Sequence, residues 1–247
     1  MESSKTLLVI GGTSDIGRAT ALAYAEAGWR VMLTARDEAA AQRNADDIAA
    51  RTGQEATVHR LDILDSESQA ALLDGLPTLP DTVVCVVGEL GDQIRGQSDP
   101  AHAMMLMRTN FEGPALFLGL VAERFLARGS GAIVGVSSVA GDRGRGSNYL
   151  YGAAKAGLTA FLSGLRNRLA PTGIRVVTIK PGFVRTRMTA GMKLPPLLTA
   201  EPEEVGKAIF RVAEVRGGDV VYVRPIWRAV MMVIGSIPEP IFKRLRL

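Results

Sequence analysis

An apolar run, Thr6–Ile10, breaks into Gly11-Gly12-Thr13-Ser14-Asp15-Ile16-Gly17, and a helical pattern over Ile16–Ala27 opens at once. No other stretch restricts the fold of this chain so tightly. A strand that ends on glycines and feeds a helix N-terminus aims backbone N–H groups and the positive end of the helix dipole at one point. That point is an anion site. Gly11 allows the tight turn, and Gly17 lets the helix lie close to the strand. In an α/β pattern the turn, with Thr13, Ser14 and Ile16 inside it, reads as a dinucleotide pyrophosphate site. Asp15 stands where a third glycine is expected. We read it as the helix N-cap, with some loss of pyrophosphate affinity as the cost of a carboxylate there.

The pattern continues in the same rhythm. Strands are predicted over Arg30–Thr34, Glu55–Leu61, Thr82–Val87, Ala132–Ser137, Arg175–Lys180 and Asp219–Val223, short and nearly all apolar. Such runs suit parallel strands buried on both faces. Helices are predicted over Glu38–Thr52, Ala101–Arg128 with an interruption, Asn148–Ala170 and Pro202–Arg216. The alternation predicts one α/β domain, a doubly wound parallel sheet of seven strands with helices on both faces. Residues 1–224 form that domain and 225–247 an apolar and basic extension. Arg187–Glu201 breaks the rhythm as a Pro/Met-containing insertion.

Composition removes several classes. One cysteine, Cys85, and two histidines, His59 and His102, exclude a disulfide framework and argue against a metal centre, so no metal is expected. A reducing cytoplasm fits the single thiol. The net charge of +4 falls entirely in the last 24 residues. No basic stripe interleaved with aromatics precedes them, so nucleic acid is not an expected partner. Met1–Lys5 lacks the order of a signal peptide, and no apolar stretch reaches the roughly 18 residues of a spanning helix.

The second predicted strand is followed by Arg36 and Asp37. An acid at that place selects NAD, whereas Arg36 can pair with a 2′-phosphate. NADP(H) is therefore expected over NAD(H), with Asp37 on the ribose as the alternative. Asp62, after the third strand, is placed for the adenine edge. At the other end, Tyr151 and Lys155 share a helix face at i, i+4, and Ser138 follows the fifth strand at the carboxyl edge. A lysine beside a phenol favours phenolate and lowers its pKa. Tyr149 and Ser137 are the rivals of Tyr151 and Ser138; lysine at i+4 and strand alternation favour the latter pair.

Gly11 to Gly17, Asp62, Asn110, Gly135-Val136-Ser137-Ser138, Tyr151-Gly152-Ala153-Ala154-Lys155 and Pro181-Gly182-Phe183-Val184-Arg185-Thr186 together resemble the short-chain dehydrogenase/reductase family over about Thr6–Thr186. The resemblance implies a Rossmann fold and an NAD(P)-dependent oxidoreductase acting on CH–OH groups. It implies Tyr151 as the acid/base, Ser138 on the carbonyl oxygen, and Lys155 on the nicotinamide ribose. Asn110 would kink its helix and anchor a relay water. Val184 and Thr186, with Pro181 and Gly182, would meet the nicotinamide side, and Val87 and Gly88 would wall the cofactor groove. The fourth strand departs from the family. Cys85-Val86-Val87-Gly88 replaces Asn-Asn-Ala-Gly, so packing must replace two amides.

The ending, Pro225 to Leu247, has an apolar run and a basic close. Its composition suits an interfacial anchor or lipid collar, with packing on the sheet or on a partner subunit as the alternative. The ending, the acid in the glycine turn and Val184-Arg185-Thr186-Arg187-Met188 resemble a narrower branch, the reductases of decaprenylphosphoryl-2-keto-pentose. That likeness implies a lipid-linked keto-sugar as substrate. It also implies a cytoplasmic protein with a peripheral station on the inner face of the membrane, assembled as a homodimer or homotetramer. The alternatives are a 3-ketoacyl-carrier-protein or ketosteroid reductase, with Arg143, Arg145 and Arg187 as a docking patch, and a cofactor-binding sensor without turnover.

Overall fold

The computed structural model describes residues 4–215 and 217–245. Arg216, predicted as a helix end, and Arg246 and Leu247, counted in the charged and apolar sets of the tail, lie outside the described residues, as do Met1–Ser3. Seven strands form one parallel sheet: β1 (Thr6–Ile10), β2 (Arg30–Ala35), β3 (Ala56–Arg60), β4 (Thr82–Cys85), β5 (Ala132–Val136), β6 (Arg175–Lys180) and, after the short β7 (Phe183–Val184) and β8 (Thr199–Ala200), β9 (Val220–Tyr222). Their order is β3-β2-β1-β4-β5-β6-β9. The order reverses beside β1, and the crevice outside the carboxyl ends of β1 and β4 is where such sheets bind ligands.

Alternation along each strand splits the core in two. Leu7 and Val9 of β1 face α1 (Asp15–Glu26) and α2 (Glu38–Thr52), and α8 (Pro202–Phe210) joins that layer through Val205 and Ile209. Leu8 and Ile10 face the other layer, built from α3 (Ser66–Gly75), α6 (Gly113–Arg128) and α7 (Tyr149–Leu169). Both faces of β1 are buried, so it reads as a continuous apolar run and not as an alternating one.

Two short helices, α3 and α4 (Gln93–Ser98), were not expected from the sequence. Each is started by an aspartate cap, Asp65 and Asp92, and not by a long apolar face. The interruption expected within Ala101–Arg128 is a π-helical turn, Arg108–Glu112, between α5 (Pro100–Met107) and α6. The insertion Arg187–Glu201 closes through 3₁₀ turns and the pairing of β7 with β8. Beyond β9, the extension forms α9 (Ile226–Ser236) and α10 (Glu239–Phe242). Trp227 and Met231 of α9 are buried against Val139, Phe183 and Leu198, so the inner face of the extension packs on the sheet's ligand edge.

Candidate active site

The glycine turn is held as its spacing requires. A Cβ on Gly17 would lie 2.4 Å from Gly11 O, so only glycine lets α1 start there. The expected cap is corrected. Ser14, not Asp15, is the N-cap of α1, and its Oγ accepts from Gly17 N at 3.0 Å. Asp15 occupies the first helical position, where its carboxylate favours the dipole and is free to bond outward. It accepts from Arg187 N at 2.7 Å and from Arg187 Nε at 3.1 Å, and the same guanidinium reaches Thr13 O. The insertion is thus clasped to the turn, and the carboxylate near the pyrophosphate position is met by a cation. Sequence reasoning missed this pair, because the two residues lie 172 positions apart.

One groove gathers Gly11, Thr13, Ser14, Arg36, Asp62, Val87 and Gly88. Asp62 is turned partly inward, its Oδ1 accepting from Leu64 N at 3.0 Å. Arg36 stands exposed just past β2. Asp37, its rival for the ribose, is committed elsewhere as the cap of α2, accepting from Ala40 N at 2.9 Å. The altered fourth strand packs as expected. Cys85 is buried, and a Cβ on Gly11 would meet the side chains of Val86 and Val87 at 3.2 and 3.3 Å. Asn110 supplies the amide support one residue further on. It is fully buried in the π-helical turn, with Nδ2 donating to Glu89 O at 2.8 Å and Leu106 O at 2.9 Å. Its Oδ1 accepts from Glu89 N at 3.0 Å. The π-helical turn falls where a kink was expected, and the side chain of Asn110 is spent on the backbone.

A second cavity shares Val86 and Gly88 with that groove and brings together Ile16, Ser138, Tyr151, Lys155, Pro181, Gly182, Val184 and Thr186. The serine rivals separate. Ser137 Oγ bonds Lys155 O at 2.9 Å and Thr159 Oγ1 at 2.7 Å, under α7. Ser138 lines the cavity together with Tyr151, its Oγ accepting from Ala140 N at 3.1 Å. Tyr149 is exposed and outside the cavity.

The electrostatics differ from expectation. Lys155 Nζ donates to Val136 O at 3.2 Å and Val87 O at 3.3 Å and sits 5.8 Å from the centroid of the Tyr151 ring. Burial dominates, pulling Lys155 down to about 8 and pushing Tyr151 above its ordinary value, with only nearby Ser138 working the other way on the phenol. The phenol's pKa is thus raised by burial and not lowered as the spacing suggested, because desolvation penalises the phenolate.

The cavity's outer wall comes from Leu90, Phe183, Met188, Met192 and Trp227. Trp227 Nε1 donates to Leu198 O at 2.9 Å. A Cβ on Gly182 would lie 1.9 Å from the indole, so Gly182 is bare because the extension lies on it. Arg143 fastens the same extension. It donates to Ile234 O and Ile237 O, each at 2.6 Å, pairs with Glu239 and stacks 3.6 Å from the centroid of Phe242. Arg143 and Arg187, two of the three expected docking arginines, are therefore occupied within the chain.

An Rossmann sheet with these residues at its carboxyl edge defines a class, and comparison agrees. The family model for short chain dehydrogenases matches residues 5–195. An uncharacterized oxidoreductase of Streptomyces coelicolor is 38% identical, covering 98% of this chain and 96% of its own. A 3-oxoacyl-[acyl-carrier-protein] reductase of Aquifex aeolicus is 28% identical, over 89% of this chain and 95% of its own. A solved short chain dehydrogenase/reductase family protein superposes with TM-score 0.79 at 31% identity, covering 90% of this chain and 97% of that one. A short-chain dehydrogenase from Sphingobium yanoikuyae in complex with NADPH gives 0.80 at 24%, over 95% and 97%, a likeness of fold. The chain belongs to the short-chain dehydrogenase family and is an oxidoreductase of NAD(P)-dependent type.

Proposed function

We propose that this protein reduces a ketone to a secondary alcohol with NADPH, and that the ketone is a polyprenyl-phosphoryl keto-sugar. The observation that carries the reading is the convergence of Ser138, Tyr151 and Lys155 in one cavity whose remaining wall is mostly apolar. The residues present fit a dinucleotide. Gly17 lets α1 open directly on the turn, Arg187 offsets the charge of Asp15, and Arg36 stands exposed on the groove that Gly11 and Asp62 also line. Gly11, Thr13, Ser14, Asp15, Ile16 and Gly17 would hold the pyrophosphate, Asp62 the adenine side, and Val87, Gly88, Pro181, Gly182, Val184 and Thr186 the nicotinamide side. When bound, the reduced nicotinamide supplies the hydride.

The chain's own residues do the rest. Ser138 fixes the carbonyl oxygen by hydrogen bonding, and Tyr151 delivers its phenolic proton to that oxygen as charge develops there. The raised phenol pKa keeps that proton in place before reaction. Lys155, a buried cation behind Tyr151, stabilises the phenolate left behind and holds the ribose. Asn110 keeps Glu89 and the exit of β4 in register beside them. The lipid chain would leave past Met188 and Met192, flexible side chains that adapt to an irregular guest, toward the exposed face of 225–245.

A reduction assay tests the reading. With farnesylphosphoryl 2-keto-pentose, NADPH oxidation is expected in the wild type, and Tyr151→Phe should lower turnover by roughly 10²–10⁴ with cofactor still bound. Near-normal turnover in Tyr151→Phe removes the assigned acid. Turnover on acetoacetyl-carrier protein but not on the keto-pentose would favour the second reading, a 3-ketoacyl-carrier-protein reductase, which the Aquifex relative supports. A homodimer or homotetramer belongs to the proposal, as the family resemblance implies.

A further inference from the structure

The loop between β5 and α7, residues 142–148, carries two arginines with different fates. Arg143 is consumed by the extension. Arg145 lines the cavity that holds Ser138 and Tyr151. Its Nε is buried and has no hydrogen-bond partner, and burial pulls its pKa below the ordinary arginine value. Asp142, the carboxylate acting on it, is already subscribed. One oxygen of Asp142 takes Lys180 Nζ, and the other accepts from Tyr222 OH at 2.9 Å. A guanidinium donor is thus withheld from water and left without an acceptor, an arrangement that proteins rarely keep without a use.

Asn148 stands on the same wall. It is the N-cap residue of α7, yet its side chain makes no capping bond, and its Oδ1 is buried without a partner. The cavity that holds Tyr151 is therefore lined by two side chains that each carry an unsatisfied buried atom, one a cationic donor and one a neutral acceptor. The first complements an anion, and the second complements a hydroxyl.

We propose that Arg145 and Asn148 form the substrate's polar subsite, Arg145 taking an oxygen of a phosphate and Asn148 Oδ1 accepting from a sugar hydroxyl. The inference rests on the ketone-reductase reading and narrows it. Arg145 shares a cavity with Tyr151, so the anion must sit close to the reacting carbonyl. A ketose bearing its phosphate on the neighbouring carbon meets that condition. A β-ketoacyl thioester does not, because its phosphate lies at the far end of the pantetheine arm.

Two pairs of probes test this on the NADPH-saturated protein by titration calorimetry. The first pair is farnesylphosphoryl ribose and farnesyl riboside, and the second is dihydroxyacetone phosphate and dihydroxyacetone. In the wild type, the phosphate-bearing member of a pair should bind at least about tenfold tighter, the scale of a charge-assisted hydrogen bond. Arg145→Met should erase that advantage and leave the neutral member within about twofold, whereas Arg145→Lys should keep part of it. Asn148→Ala should weaken both farnesyl probes by the same factor. Preference confined to the second pair keeps the subsite and sinks the lipid-linked reading. A phosphate advantage that survives Arg145→Met, equal losses on charged and neutral probes in that variant, or no phosphate preference in either pair overturns the subsite. The ketone-reductase reading is judged separately, from NADPH oxidation.

Discussion

Lys155 is the residue on which the site's electrostatics turn. Its Nζ donates to two carbonyls, with no carboxylate paired to it among the described residues, and burial brings it from an ordinary 10.5 to about 8. Below pH 8 both the folded and unfolded states hold the proton, and burying the charge costs stability. Between about 8 and 10.5 only the unfolded state holds it, so stability rises with pH through that window, by about 3 kcal/mol in all. Urea denaturation of the cofactor-free protein should show the wild type gaining on Lys155→Met between pH 7.5 and 10. A constant difference between the two would mean that the folded lysine keeps its proton. Arg36 makes a second prediction at this scale. Fluorescence titration should show tighter NADPH than NADH binding, and Arg36→Ala should remove about 1.5–3 kcal/mol of the gap. An unchanged ratio would place the 2′-phosphate contact elsewhere. Both residues were legible in the sequence, because an i, i+4 spacing and a strand end fix position. The direction of the Tyr151 shift was not legible, since it depends on desolvation, which a spacing does not report.

At the scale of elements, what the sequence showed well was whatever repeats with a period. The edges of β1, β6 and α2 follow the apolar pattern residue by residue. α3 and α4 escaped because a capped helix of ten or six residues has too few turns for periodicity to show. The Asp15–Arg187 clasp escaped because it joins the first residue of α1 to a 3₁₀ turn 172 positions away. α9 is the element whose role the sequence left most open, and Gly182 probes it. Adding a methyl there, 1.9 Å from the indole of Trp227, must push α9 off the ligand edge. Gly182→Ala should therefore cost about 1–3 kcal/mol in urea denaturation, the usual scale of overpacking. Unchanged stability would show that the contact between α9 and the turn after β6 yields freely.

At the scale of the whole molecule, the extension has two faces. The inner face, Trp227 and Met231, completes the wall of the substrate cavity. The outer face leaves Met232 and Val233 each 66% exposed and Ile241 54% exposed, with Arg228, Lys243 and Arg244 also at the surface. The packing and anchor alternatives of the sequence are thus not exclusive, because each concerns a different side of one helix. Among the described residues no helix is long and apolar enough to cross a membrane, so any bilayer contact would be lateral. If the ketone is lipid-linked, that outer face would rest on an anionic surface, apolar side chains entering and basic ones adding about 1 kcal/mol each. Deleting the segment from Ile237 onward is a poor test, since it also removes a carbonyl acceptor of Arg143 and the Phe242 ring that Arg143 covers. Met232→Glu with Val233→Glu is the better one, because both side chains point away from the core. Sedimentation with anionic liposomes should occur for the wild type, fall in part with added salt, and be lost in the double variant. Reduction of a short, soluble ketone should stay as it was. Retained sedimentation in the double variant would locate the membrane contact elsewhere, and loss of activity on the soluble ketone would make the outer face part of the fold or of a subunit interface.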